Sequence, residues 1–200
     1  MAVKLISPPA TLALTVVEAK KHLRIETSDQ DSEVQAYTMA AIANVENWLG
    51  RALIDQTWEL YLDKFPTGSD LEIEIPKPPL IEVLQVAYDD SNGDEQIIAS
   101  GSYYVDTVTQ PGWVIPQGSL LWPTPIDAIN SVRVRFRAGY LSTDSPPVAA
   151  VPEDIKAAIK LTLGNLWEYR ETQVVGIMAS KLPFGVEQLL RQHRVLLGMA

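Results

Sequence analysis

Asn47-Trp48-Leu49-Gly50-Arg51-Ala52-Leu53-Ile54-Asp55-Gln56-Thr57-Trp58-Glu59-Leu60-Tyr61-Leu62 is the stretch in which the chain changes its hydrophobic period. Upstream of Gly50, the residues Val34, Tyr37, Ala41, Val45 and Trp48 step by three and four, which sets them on one stripe of a helix. Gly50 supplies the left-handed residue that stops such a helix. From Leu53 onward Trp58, Leu60 and Leu62 alternate with Glu59, Tyr61 and Asp63, the two-residue period of a half-buried strand. A helical part therefore ends here and a β-rich part begins.

Working outward, Thr15-Val16-Val17-Glu18 is a capping box and predicts a short helix through Ala19, His22 and Leu23. Ser28 and Asp29 offer a cap for the longer helix that runs to about Leu49. Downstream, Leu71, Ile73 and Ile75 alternate with Glu72 and Glu74, and residues 81–88 read as another strand. Asp89-Asp90-Ser91-Asn92-Gly93 closes it, and Asn-Gly favours the positive backbone angles of a hairpin turn. Further short strands are expected at 103–106, 113–115 and 132–138. Between them Pro111, Gly112, Pro116, Gly118, Pro123 and Pro125 interrupt any helix.

Ser142, Thr143, Asp144, Ser145, Pro146 and Pro147 mark an exposed crossing over 139–151. Pro152 then suits a first helical turn, with Glu153 and Asp154 at the positive end of the helix dipole. Ile155, Ile159, Thr162, Leu166 and Tyr169 form its stripe, and a last helix is expected over 186–197. The expected class is α+β, a small α-helical bundle interrupted by a β-rich insertion. Residues 1–52 form the N-terminal helical part, 53–138 the insertion, 139–151 a linker, and 152–200 the helices completing the bundle. The role of Met1 to Leu14 is left open.

Composition narrows the function. Of 200 residues, 46% are hydrophobic and 20% charged, enough for an ordered core. The net charge of −9 lacks the basic stripe by which phosphate binders gain affinity. It suits ordinary solubility, or a protein that DNA must slide past without adhering. The absence of cysteine excludes disulfides, thiolate metal sites and thiol nucleophiles. No apolar run is long enough to span a bilayer, so no membrane is expected as a partner. The opening Met1-Ala2-Val3-Lys4-Leu5-Ile6-Ser7-Pro8-Pro9 is too short and too proline-broken for a signal peptide. A protein made and kept soluble in the cell is expected.

The search for chemistry returns no catalytic residue, cofactor or metal. His22 and His193 are the two histidines and sit at opposite ends, each beside a cation on a predicted helix, and no Gly-x-Ser-x-Gly elbow exists. Aligning Gly93 with the glycine of a calcium loop puts Tyr88 and Ala99 at positions that need oxygen ligands. Plentiful carboxylates leave a two-acid glycosidase as a formal competitor. Trp48 and Trp167 fall on helices and Trp58 on the apolar side of its strand, whereas Trp113 and Trp122 fall in loop-like sequence. With Tyr103 and Tyr104 these last two are the candidate face of a carbohydrate- or receptor-binding module, against core packing or subunit contact as the favoured reading. Finally, Arg133, Arg135 and Arg137 alternate with Val132, Val134 and Phe136, a row of guanidiniums on one strand face. A solvated face, contact with passing DNA, and carboxylate pairing across a subunit boundary are the alternatives. The boundary is favoured, with Trp113 and Trp122 as further candidates for it.

The ordered motifs carry a resemblance. They are Glu18-Ala19-Lys20-Lys21-His22-Leu23-Arg24-Ile25, Glu46-Asn47-Trp48-Leu49-Gly50-Arg51, Pro78-Pro79-Leu80-Ile81-Glu82-Val83 and Phe136-Arg137-Ala138-Gly139-Tyr140. Then come Val151-Pro152-Glu153-Asp154-Ile155-Lys156-Ala157-Ala158-Ile159, Tyr169-Arg170-Glu171 and Pro183-Phe184-Gly185-Val186-Glu187-Gln188-Leu189-Leu190. Together they resemble the head–tail connector (adaptor) family of long-tailed phages and gene-transfer agents, in the branch with a β-rich insertion. The resemblance implies a structural virion protein of the capsid–tail neck, with subunits side by side in a ring beneath the portal protein. The ring would be twelvefold, would extend the channel for packaged double-stranded DNA, and would meet the next connector, stopper or tail terminator. It also implies a portal-gripping tail at 182–200. Leu182, Pro183, Phe184, Leu189, Leu190, Val195 and Leu196 would bury apolar area there, and Arg191 and Arg194 would pair with portal carboxylates. Apart from the resemblance, a helix this short is marginal alone in water, so it must dock on a partner or on its own bundle.

Overall fold

The computed structural model describes residues 1–140, 150–169 and 184–195. The elements are β1 (Ala2–Ser7), α1 (Val16–Leu23), α2 (Asp31–Leu49), β2 (Gln56–Leu62), β3 (Ile73–Ile75), β4 (Leu80–Asp89), β5 (Glu95–Ile98), β6 (Tyr103–Asp106), β7 (Gly112–Pro116), β8 (Val132–Ala138), α3 (Glu153–Glu168) and α4 (Phe184–Leu190). Helices at both ends flank a β-rich middle, which is the α+β architecture expected.

The helices share one apolar core. Val34, Ala41, Val45 and Leu49 of α2 meet Ile155, Ala158, Ile159 and Leu163 of α3, with Val186 and Leu190 of α4. Tyr37 and Trp167 pack edge to face at 5.7 Å across the α2–α3 contact. The capping box forms as read: the Glu18 N–H donates to Thr15 Oγ1 at 3.2 Å, and Glu18 Oε2 accepts from the Thr15 N–H at 2.9 Å.

The strands form two sheets. Five pair antiparallel in the order β1-β2-β8-β4-β5, and three in the order β3-β7-β6. Leu60, Val86, Val132, Val134 and Phe136 of the larger sheet share a buried cluster with Ile73, Ile75, Tyr103 and Val114 of the smaller. The strand β8 is the middle of the large sheet, and all its alternate side chains Val132, Val134, Phe136 and Ala138 are fully buried.

The helical and β parts meet where the period changes. Gly50 takes φ +70 and its N–H donates to Glu46 O at 3.0 Å, ending α2. Gly139 takes φ +134, and a Cβ there would lie 2.2 Å from the Ile54 carbonyl oxygen. This close approach lets the Tyr140 N–H reach Leu53 O at 3.3 Å.

Several expectations are corrected. Neither Ser28 nor Asp29 caps α2 through its side chain; Gln30 is the cap residue and the Asp31 N–H bonds the Ser28 carbonyl at 3.2 Å. Tyr169 leaves α3 and is exposed, and Ala158 and Leu163 complete that stripe instead. The strand read from Leu71 starts at Ile73. The last helix stops at Leu190 and gives way to one 3-10 turn, Arg191–His193. Both β1 and β5 were unforeseen, and β1 gives the opening residues a place as an edge of the large sheet. Most of the expected crossing, 141–149, lies outside the described residues.

Candidate interaction surfaces

The arginine row sits where the register puts it. On β2, Tyr61, Glu59 and Thr57 stand opposite Arg133, Arg135 and Arg137. On β4, Ala87, Gln85 and Glu82 stand opposite the same three. With the inner side chains of β8 buried, the guanidiniums lie on the outer face between two acidic strands. Arg133 bonds Asp89 through both Nη atoms, at 2.9 and 2.6 Å, and Glu95 at 2.7 Å. Arg135 lies 2.7 Å from Glu59 Oε1, and Arg137 pairs with both Asp55 and Glu82.

The electrostatics follow from this lattice. Hydrogen bonds donated to Asp89 hold Arg133 charged well above its ordinary range, and those donated to Asp55 do the same for Arg137. Burial works against the charge on Glu59, but the hydroxyl of Tyr61 and the Arg135 guanidinium outweigh it and keep the carboxyl below its usual range. Three guanidiniums among five carboxylates leave no excess positive charge for phosphate. The row thus finds its carboxylates within its own chain, and the feature that resolves this, strand register, is not readable from local sequence.

The second surface is the C-terminal segment. Leu190 and Val186 are fully buried in the bundle and Leu189 is half-buried against it, so the chain's own core accounts for Leu190. The turn after α4 is pinned to the end of α2. The Val195 N–H donates to Leu49 O at 2.9 Å, and the Arg51 Nε–H donates to the His193 carbonyl. His193 Nε2 lies 2.6 Å from Asp154 Oδ2, which also accepts from Gln192 at 2.6 Å. Arg51 is only 8% exposed and its Nη1 donates to Gln110 Oε1 at 2.5 Å, so it ties three parts of the chain together. Burial lowers its pKa, partly offset by Tyr140. Arg191 and Arg194 are exposed and line a cleft with Trp48, Glu187 and Gln188, the Arg194 guanidinium lying 4.9 Å over the Trp48 ring. Leu182, Pro183 and Leu196, and the side chain of Phe184, lie outside the described residues.

The aromatic candidates are not brought together on a platform. Trp122 is buried, stacks on Phe65 at 4.9 Å and donates from Nε1 to Leu71 O at 2.7 Å. Tyr103 is buried too, Trp113 is half-buried on β7, and Tyr104 is 58% exposed. Trp122 is thus core of the β part and not a binding ring. Among the described residues no cluster of three or more His, Asp or Glu is placed to hold a metal, and no helix is long and apolar enough to cross a membrane.

Sequence reasoning missed Arg51 and Glu46. Glu46 Oε1 accepts from the Leu53 N–H at 2.8 Å and from Gln56 Nε2 at 2.9 Å, and burial pushes its carboxyl up. Both residues lie so close to the α2 stripe that only the fold reveals them as joints.

Comparison with known proteins adds the identity of the group. Residues 13–196 match the family model of the head completion protein. No curated protein matches the chain. Among solved structures the chain is similar to a protein in the neck of an empty gene transfer agent (GTA) particle, computed with C6 symmetry. There the TM-score is 0.77 at 26% identity, over 99% of this chain and 98% of that one. It is similar at TM-score 0.77 and 25% identity to a chain of the native GTA virion, and at 0.73 and 25% to one in the native GTA neck computed with C12 symmetry. In both, 99% of this chain and 98% of that chain are covered.

Proposed function

The chain belongs to the head completion protein family, and from that premise we propose how it serves the particle. It is a structural head–tail connector of a virion neck, where it forms part of a ring oligomer. In our reading twelve copies stand side by side beneath the portal protein. They extend the channel for packaged double-stranded DNA and offer their far side to the next connector, a stopper or a tail terminator. Its role is to join and not to catalyse. The observation that carries the reading is a full-length likeness to neck proteins, extending over both the helical and β parts.

The charge pattern supports passage of DNA without capture. The net charge is −9, and the arginine row is matched by carboxylates of its own sheet. For the portal contact, α4 acts as a pedestal: Val186 and Leu190 anchor it in the bundle. The exposed Gln188, Arg191 and Arg194, with the residues from Leu196 onward, then form the grip. Guanidiniums beside an aromatic ring suit carboxylates of a partner surface.

Native mass spectrometry of the protein mixed with the portal protein of its own particle tests this. Because removal of 182–200 would take Val186 and Leu190 from the core, the informative variants are a chain ending at Val195 and Arg191→Glu with Arg194→Glu. Multi-copy binding by the full chain that these changes abolish supports the grip. Binding that survives them moves the portal contact elsewhere, and no binding by the full chain overturns the connector reading.

A further inference from the structure

The large sheet ends in two open edges, each carrying exposed apolar side chains. Strands at sheet edges present unpaired N–H and C=O groups, and proteins usually blunt them with charge, proline or cover. Here β1 reads Ala2-Val3-Lys4-Leu5-Ile6-Ser7, with Leu5 40% and Ile6 38% exposed. At the other end β5 reads Glu95-Gln96-Ile97-Ile98, with Ile97 66% exposed. Beside β5 the loop residues Leu120 and Leu121, the latter 73% exposed, line a shared cleft with Ile97 and Ile98. Among the described residues β1 pairs only with β2, and β5 only with β4.

Register places these side chains. Leu5 stands opposite Trp58, on the face that also carries Leu60 and packs on the smaller sheet. Ile98 stands opposite the buried Val86, so it shares that inner face. Ile97 stands opposite Ala87, which pairs with Arg133, so it projects from the outer, charged face. Ile97 is not a lone exposed isoleucine: with Leu120 and Leu121 it makes an apolar patch beside the β5 edge.

We propose that the β5 edge of one copy docks on the β1 edge of the next, joining the large sheets of neighbouring subunits around the ring. This rests on the ring reading. A ring is a heterologous assembly, in which one patch meets a different patch of the adjacent copy, and two unlike open edges at opposite ends of one sheet supply such a pair. The direction of the pairing is set too. Each strand is antiparallel to its neighbour through β1-β2-β8-β4-β5, so β1 and β5 point the same way. Rotation about the ring axis preserves that sense, and the joint between copies is therefore a parallel pair. The inner apolar layer would continue from Ile98 and Leu121 to Leu5, and Ile97 would be covered.

The chain has no cysteine, so introduced thiols report without background. Lys4 stands opposite Glu59 and so shares the outer face with Ile97. Lys4→Cys with Ile97→Cys, assembled with the portal protein and treated with a short bismaleimide, is expected to give a ladder of covalent oligomers. Each single variant is expected to stay monomeric on the same gel. Dimers from a single variant would mean like-to-like pairing and overturn the proposal. As a second arm, Ile97→Lys, set on the same face as Lys4 of the next copy, is expected to abolish the ring, and Ile97→Glu to keep it. Both sites are exposed, so thermal melting of the free subunit should be unchanged and serves as the folding control. A ring by native mass with no ladder, and indifferent to Ile97→Lys, overturns the edge contact alone. No ring with any protein, the unaltered chain included, overturns the ring reading and this inference with it.

Discussion

Arg135 on β8 stands opposite Glu59 on β2, its guanidinium 2.7 Å from a carboxylate whose side chain is only 7% exposed. The two are not equivalent in their surroundings, since the Arg135 side chain is 44% exposed. Removing the arginine leaves a nearly buried charge with the Tyr61 hydroxyl and the more distant Arg133. Arg135→Met is therefore expected to cost about 1–3 kcal/mol, more than an ordinary surface ion pair is worth. Adding Glu59→Met should recover most of the loss, because the unpaired charge is gone. Urea titration of the single and double variants checks this. Its pH dependence has a definite sign. Glu59 has a folded pKa below its ordinary 4.5, so its contribution is present above that value and lost as pH falls through the folded one. Arg135→Met should shrink that acid loss.

Glu46 runs the other way. Burial raises its carboxyl pKa, so ionisation at neutral pH opposes folding even though Oε1 accepts two hydrogen bonds. A raised folded pKa means stability present below the unfolded value and lost as pH rises through the folded one. Glu46→Gln keeps an acceptor for the Leu53 N–H and carries no charge. It is expected to match or exceed the parent in stability at pH 8, with the difference vanishing in acid. Glu46→Ala should instead cost about 1–3 kcal/mol by orphaning the Leu53 N–H and the Gln56 amide. Thermal melts at several pH values separate the two outcomes.

What was legible in the sequence was whatever a short window encodes. The Thr15–Glu18 capping box and the alternation of Val132 to Ala138 each state their structure locally, and both formed at the expected positions. The strand β1 was not legible, because its partner β2 lies some fifty residues downstream and its own alternation is brief. The end of α4 was misjudged for a related reason. Residues 191–195 hold no proline or glycine to stop a helix, but the Val195 N–H finds Leu49 O and the carbonyl of His193 finds Arg51, both contributed by the far end of α2. The candidate surfaces divided along the same line. That Arg133, Arg135 and Arg137 share a face was readable from a two-residue period. That their partners are Asp55, Glu59, Glu82, Asp89 and Glu95 depends on register between distant strands.

Gly139 is the tightest point of the joint between helical and β parts. Its φ of +134 is strained for any side chain, and an added Cβ would press on the backbone carbonyl of Ile54, which has no flexible end to yield. Gly139→Ala is expected to cost about 2–5 kcal/mol, from backbone strain together with overpacking. By contrast Gly93→Ala, at a positive φ but with nothing within 4 Å of the added carbon, should cost less. Chemical denaturation of the two variants tests whether the loss at Gly139 is steric.

The tie between Asp154 and the C-terminal segment bears on function. Asp154 lies in the first turn of α3, and its Oδ2 receives His193 and Gln192. Burial works against its charge, yet these partners and the Ile155 N–H hold its pKa below the ordinary 3.8, so this contribution is lost only as pH falls below that value. Asp154→Ala removes both side-chain contacts and leaves Val186 and Leu190 in the core. The segment after α4 is then held by the Arg51 and Val195 backbone bonds and the Arg194–Trp48 contact. Hydrogen exchange at the Val195 amide is expected to quicken about tenfold or more, the effect of losing a charged hydrogen bond of about 1.5–3 kcal/mol from a local opening. Amides in the middle of α3 should not change. If Val195 kept its protection, the tie would be ornamental to the segment. If the whole bundle lost protection together, Asp154 would be holding α3 and not the segment on which Arg191 and Arg194 are presented.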